Sequence, residues 1–300
     1  MSSPSSVVAI DVGNTRAKFG LFHLTHDGLA VPVDICACVL SQTPDLARYL
    51  QTWWQTHPSA ELQGAIVAGS QPDIRDRLLN HWPIAGCKPT VINGYQQIPI
   101  QVDLDFPERV GMDRLLNVFA ASRLLKEKRP AIVVDSGTAT TVDLMTSDSV
   151  FRGGSILPGL RLSAHAMHDY TARLPLLNVD EDLAELPELP GRNTEAAMRA
   201  GLFIGQLGAV RELVARLTIA ASDRFNESTR PVIFVTGGGG RHLASHLPRC
   251  MPEAFGLSEA MNAQAMYIDS LPLHGLAMLA AGSSGHAGDG AGGTKKPRDN

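Results

Sequence analysis

One turn occurs twice in this chain. Val7-Val8-Ala9-Ile10-Asp11-Val12-Gly13-Asn14-Thr15 returns as Ala131-Ile132-Val133-Val134-Asp135-Ser136-Gly137-Thr138-Ala139, an apolar run rich in β-branched residues that ends in an aspartate and a glycine. Such a run suits a buried strand, and an Asp-x-Gly-polar-small turn presents backbone N–H groups and a hydroxyl to whatever lies above it. Each turn leads into a second strand-like run, residues 17–22 and 140–144, so each copy reads as a hairpin. A single Asp-x-Gly is an ordinary β-turn, because both residues favour turns for conformational reasons. Two of them with Thr-rich continuations, Asn14-Thr15 and Thr138-Ala139-Thr140-Thr141, place donors where phosphate oxygens need them. The pair predicts an α/β protein built by duplication, with two facing turns holding a metal-bound polyphosphate as an ATP-dependent phosphotransferase would.

Bulk properties agree with small-molecule chemistry. A chain of 300 residues, 44% of them hydrophobic, can bury two ordinary cores. A net charge of −4 argues against a nucleic-acid footprint, which shows as a basic patch or domain. Residues 1–6 lack the basic and apolar regions of a leader, and no apolar run approaches bilayer length, so a soluble cytoplasmic protein is expected. Cys36, Cys38, Cys87 and Cys250 are too sparse for a disulfide scaffold and read as free thiols, while His165 and His168 read as an exposed pair rather than metal ligands.

Alternation of short strands and helices implies layered α/β architecture. Helices are expected over residues 43–58, 73–81, 111–128 and 194–217, with strands at 64–70 and 232–235. In the first helix, Leu46, Tyr49, Leu50, Trp53 and Trp54 recur at helical spacing, as a core stripe does. Lys126, Lys128 and Arg129 favour the C-terminal end of the third, before Pro130. The glycine- and proline-punctuated residues 151–160 read as a loop. Thr236-Gly237-Gly238-Gly239-Gly240, after a strand and before a helix, is a common place for a nucleotide to dock. The expected organisation is a disordered start at 1–6, domains at 7–129 and 130–281, and a disordered tail at 282–300.

Phosphorylating an alcohol needs a phosphate cradle, a divalent ion and a carboxylate to receive the hydroxyl proton. Asp11 suits Mg²⁺, directly or through water. Gly13 lets the backbone approach phosphates, Asn14 and Thr15 donate, and Lys18 supplies positive charge. For the base, Asp113 in Gly111-Met112-Asp113-Arg114 begins a helix, and Arg114 beside it can grip a substrate carboxylate.

Six segments taken together resemble the type III pantothenate kinase family. They are Asp11-Val12-Gly13-Asn14-Thr15-Arg16-Ala17-Lys18, Pro107-Glu108-Arg109-Val110-Gly111-Met112-Asp113-Arg114, Asp135-Ser136-Gly137-Thr138-Ala139-Thr140-Thr141-Val142-Asp143, Gly153-Gly154-Ser155-Ile156-Leu157-Pro158-Gly159, Thr171-Ala172-Arg173-Leu174-Pro175 and Gly191-Arg192-Asn193-Thr194-Glu195-Ala196. The resemblance covers roughly residues 7–280. It implies two ribonuclease-H-like domains of the acetate and sugar kinase, Hsp70 and actin fold, a homodimer, and transfer of the ATP γ-phosphate to pantothenate, the first step of coenzyme A synthesis. It also implies that residues 11–18 and Thr138 bind ATP and that Asp113 accepts the proton. Gly111, Met112, Asp113, Arg114 and Thr194 would contact pantothenate, with Asp135 holding K⁺ or NH₄⁺. Two positions depart from the pattern: Leu104 stands where relatives carry a substrate-facing tyrosine, and Ser136 where a phenylalanine is common. The alternatives are a kinase of the same fold acting on another small hydroxylated acid or sugar, and a non-enzymatic transcriptional accessory protein.

Overall fold

The computed structural model describes residues 5–57, 61–179, 186–247 and 265–284. Strands β1 (Ser6–Val12), β2 (Arg16–Leu24) and β3 (Ala30–Val39) form an antiparallel meander. Helix α1 (Leu46–Trp54) then crosses to β4 (Leu62–Gly69), which lies parallel to β1, and α2 (Pro72–Asn80) crosses to β5 (Pro89–Val91), parallel to β4. The sheet order is β3-β2-β1-β4-β5. A short strand β6 (Gln101–Val102) and helix α3 (Met112–Leu124) follow.

The second half repeats the plan. Strands β7 (Ala131–Ser136), β8 (Ala139–Met145) and β9 (Val150–Pro158) make the meander, and α4 (Leu160–Asp169) and the long α5 (Thr194–Phe225) lead to β10 (Val232–Thr236), parallel to β7. Helix α6 (Gly240–His246), strand β11 (Ala265–Tyr267) and helix α7 (Leu271–Ser284) complete the described chain. The order β11-β10-β7-β8-β9-β6 is the first sheet's order again, read from the other edge, with β6 added beside β9. Three antiparallel strands followed by two parallel ones, twice over, are two ribonuclease-H-like units. They make the acetate and sugar kinase, Hsp70 and actin fold that the family resemblance implies.

Period-two alternation along the strands assigns the layers. Val8 and Ile10 of β1 join Leu46, Leu50 and Trp53 of α1 and Leu78 of α2 on the outer side of the first sheet. Val7 and Ala9 point the other way, into a central core with Leu115, Leu116 and Phe119 of α3, Leu273 and Leu276 of α7, and Ala131 and Val133 of β7. Ile132 and Val134 face Leu207, Val210 and Val214 of α5 on the far side. Helices α3 and α7 are therefore sandwiched between the two sheets. Apolar surface on opposite faces of α7 follows from contact on both sides. Asp11 and Asp135 share the odd-numbered face, and so both point towards the layer that contains α3.

Several boundaries differ from expectation. Residues 151–160 are mostly strand β9 rather than loop, because the glycines give backbone room beside β8, and Gly153 takes φ +87°. Helix α3 stops at Leu124, before the basic residues, because Leu125 turns extended (φ −72°, ψ 124°) and packs on the central core. Helix α5 runs on to Phe225, since Leu217, Ala221 and Phe225 continue its stripe onto the outer core, and Asn226 ends it in the left-handed region at φ 56°. Ser5 is described and accepts the Leu24 N–H, Ser6 belongs to β1 and residues 282–284 to α7, while the rest of the expected disordered ends lies outside the described residues, as does Cys250. Cys36, Cys38 and Cys87 carry free thiols, and His165 and His168 are exposed.

Candidate active site

The two hairpin turns meet at a cleft of about 380 Å³. Thr15 at the tip of the first turn and Thr138 at the tip of the second join through their hydroxyls at 2.9 Å, which ties the two repeats together over the cleft. The copies are not identical. Gly13 N–H donates to Arg16 O in the first turn, whereas Gly137 N–H reaches Ala139 O in the second, one residue tighter. The register after the turn consequently slips by one: Asp11 lies opposite Lys18, and Asp135 lies opposite Thr141. Only the first copy places a cation directly across from its aspartate.

Asp11, Gly13, Asn14, Thr15, Arg16 and Lys18 line this cleft together with Met112, Asp113, Asp135 and Thr138. Val12 and Ala17, also expected to touch ATP, are buried in the hairpin and do not line it. Gly111, Arg114 and Thr194 are likewise absent from the lining. Thr194 is the exposed first residue of α5, where Asn193 is the cap and accepts the Ala196 N–H at 2.8 Å. The Arg114 guanidinium is paired with Asp143.

Helix α3 supplies the remaining geometry. Asp113 stands exposed in its first turn, and its Oδ1 accepts the Arg114 N–H at 2.9 Å. One turn further along the same helix, Asn117 is 1% exposed and donates from Nδ2 to Asp135 Oδ2 at 2.8 Å. Asn117 Oδ1 is buried without a hydrogen-bond partner among the described residues. The other side of Asp135 is set by Gly237 at φ +88°, where a Cβ would crowd both Asp135 Oδ1 and Ser136 O. Gly237, Gly238 and Gly239 line the cleft as the glycine run suggests.

The electrostatics distinguish the carboxylates. Burial pushes Asp11 from 3.8 up to about 6; Lys18 pulls it down, and Asp113 and Asp135 push it further up. Asp135 is also raised by burial, against the pull of Lys18 and of the Asn117 hydrogen bond. Three carboxylates thus gather around the Lys18 ammonium, and Arg16 and Arg161 add further positive charge to the same cleft.

Ser70, Leu160, Arg161, Val179 and Pro272 also line the cleft, and none was legible as a site residue. They arrive there from loops and helix ends far apart in sequence, without a local motif. Asn117 carried a usable signal, since a polar residue four positions after Asp113 on an apolar helix shares its face. Leu104, at the place of the usual tyrosine, packs on the central core and abuts Gly153. Ser136 is buried, with Gly239 packed against its hydroxyl.

A type III pantothenate kinase of Rhodopirellula baltica is 41% identical over 155 residues, which span 51% of this chain and 52% of that protein. One from Listeria innocua is 28% identical over 256 residues, 79% of this chain and 87% of the relative. Among solved structures, a glucokinase from an Antarctic psychrotroph aligns with a TM-score of 0.47 and 12% identity over 93% of this chain and 99% of that one. The family model described as type III pantothenate kinase matches residues 7–216, most of the described chain, and the protein belongs to that family.

Proposed function

We propose that this chain transfers the γ-phosphate of ATP to the primary hydroxyl of pantothenate, the entry reaction of coenzyme A synthesis. The observation that carries this reading is the meeting of two equivalent turns over Asp11, Lys18, Asp113 and Asp135 in one cleft. Residues 11–18 and Thr138 would receive the triphosphate through turn N–H groups, hydroxyls and the Lys18 charge. Mg²⁺ at nucleotide sites takes one or two carboxylates with phosphate oxygens and water, a donor set that Asp11 fits. When bound, the ion would neutralise charge developing on the transferred phosphoryl group. Asp113, exposed at the start of α3, would take the hydroxyl proton, and Gly111, Met112, Arg114 and Thr194 would hold the acceptor. Two domains, residues 7–129 and 130–281, a cytoplasmic location and a homodimer belong to the same reading.

The direct test is ATP consumption with and without pantothenate, across a panel of small hydroxylated acids and sugars. Pantothenate-dependent turnover is expected to exceed every other acceptor. A higher rate on a sugar or another acid would overturn the substrate assignment.

Asp135 is the proposed seat of K⁺ or NH₄⁺. It is a hard-oxygen ligand, half-buried, and Lys18 is the cation that lowers its pKa. Activity at matched ionic strength is expected to be higher in K⁺ or NH₄⁺ than in Na⁺, and Asp135→Asn should flatten that difference as turnover falls. Equal wild-type rates in all three salts would leave Asp135 a structural residue.

A further inference from the structure

Behind the exposed Asp113, the Arg114 guanidinium is held in a built socket. Its Nε lies 3.1 and 3.2 Å from the two Asp143 carboxylate oxygens, and its Nη2 also bonds Asp143 Oδ1. The ring of Phe151 stands 5.4 Å from the guanidinium carbon. The Asp143 side chain is 2% exposed and that of Arg114 14%. Thr141 completes the carboxylate's hydrogen bonding. Directly across the ladder from Asp143 sits Gly154, where a Cβ would overlap Val142 O and Asp143 Oδ1. Gly154, within a stretch that reads in sequence as a loop, is therefore what makes room for this carboxylate in the middle of a strand pair.

A buried carboxylate that takes Nε and Nη2 fixes the plane of the guanidinium and leaves the second terminal nitrogen, Nη1, outside the pair. Resting on the reading that Arg114 receives the substrate carboxylate, we propose that Asp143 is a positioning residue for pantothenate: it holds the Arg114 fork so that the Nη1 edge meets the carboxylate end of the acceptor while the hydroxyl end reaches Asp113. Asp143 touches no substrate itself. Its effect passes wholly through Arg114, and so it falls on the recognition of one end of one substrate.

The test compares kcat/KM for pantothenate and for pantothenol, which carries a hydroxyl in place of the carboxylate. Asp143→Asn keeps the volume but removes one anionic oxygen of the socket. It is expected to lower kcat/KM for pantothenate roughly 10- to 100-fold, the scale of a misplaced binding group, with the value for pantothenol and the KM for ATP unchanged. Parallel losses on pantothenate and pantothenol would show a merely structural residue and overturn the inference. So would an unchanged or improved pantothenate value, the latter marking Asp143 as a competitor for Arg114. If the single variant does not fold, Asp143→Glu keeps the negative charge beside Arg114 but moves the carboxylate by one methylene. That variant should show the same selective loss, and wild-type efficiency in it would overturn the proposal. Wild-type protein that consumes no ATP with pantothenate would instead sink the kinase reading on which this rests.

Discussion

Replacing Asp113 with asparagine is expected to lower kcat by about 10²–10⁴ while the KM for pantothenate and for MgATP change by no more than about threefold, since the loss falls on proton transfer. The substitution is close to isosteric. Asparagine Oδ1 can keep the bond that Asp113 Oδ1 accepts from the Arg114 N–H, so the first turn of α3 and the register of Arg114 on Asp143 should survive. What disappears is a group able to take the hydroxyl proton. The three cleft carboxylates differ in this respect. Asp135 is half-buried and tied to Asn117, and Asp11 is buried opposite Lys18, whereas Asp113 is exposed and can pass a proton on to water. Steady-state kinetics on a variant with an unchanged thermal transition would decide the matter. Near-normal turnover would remove Asp113 from the base role and leave it an ordinary first-turn acid.

The sequence carried the duplication because each hairpin is local: a buried strand, a two- or three-residue turn and a returning strand are contiguous, and their apolar alternation and glycines are visible without tertiary information. It carried Asp11, Lys18, Asp113 and Asp135 for the same reason. The slip that puts Thr141 opposite Asp135 was not visible, since one residue fewer in a turn leaves no mark on composition. Residues 151–160 were misread because glycine and proline usually mark loops, while here Gly154 answers the tertiary demand of a buried Asp143 next door. Helix α7 did not stand out either. Its apolar residues point all round, with little helical period, because it is packed between the first sheet and α3, both far away in the chain. Arg114 was legible as a cation beside the base, but its partner, in the next repeat, was not.

The second large effect concerns the charge on Asp11, and it sets stability against function. Its carboxyl stands at about 6 in the folded protein against an ordinary 3.8, chiefly because the folded chain buries it. A raised acid works against the fold. Below about pH 4 the group is protonated folded and unfolded, and it contributes nothing; between about 4 and 6 only the unfolded chain ionises freely, and above 6 the full cost of the buried charge is present. A shift of this size is worth roughly 3 kcal/mol. Asp11→Asn carries no charge at any pH, and Lys18 retains Asp135 as a partner, so the ligand-free variant is expected to unfold several degrees higher than wild type at pH 7.5 and only about a third as far above it at pH 4.5. MgATP should reverse the order. It raises the wild-type transition, by about 2.7 kcal/mol of stability at a hundredfold excess over Kd, because the ion answers the carboxylate's charge, and it leaves the variant nearly unmoved and without MgATP-dependent turnover. Thermal denaturation at the two pH values, with and without MgATP, reads all four corners of this comparison. An Asp11→Asn gain equal at both pH values, or an equal MgATP shift in both proteins, would mean that the buried charge is not what the nucleotide and its ion come to neutralise.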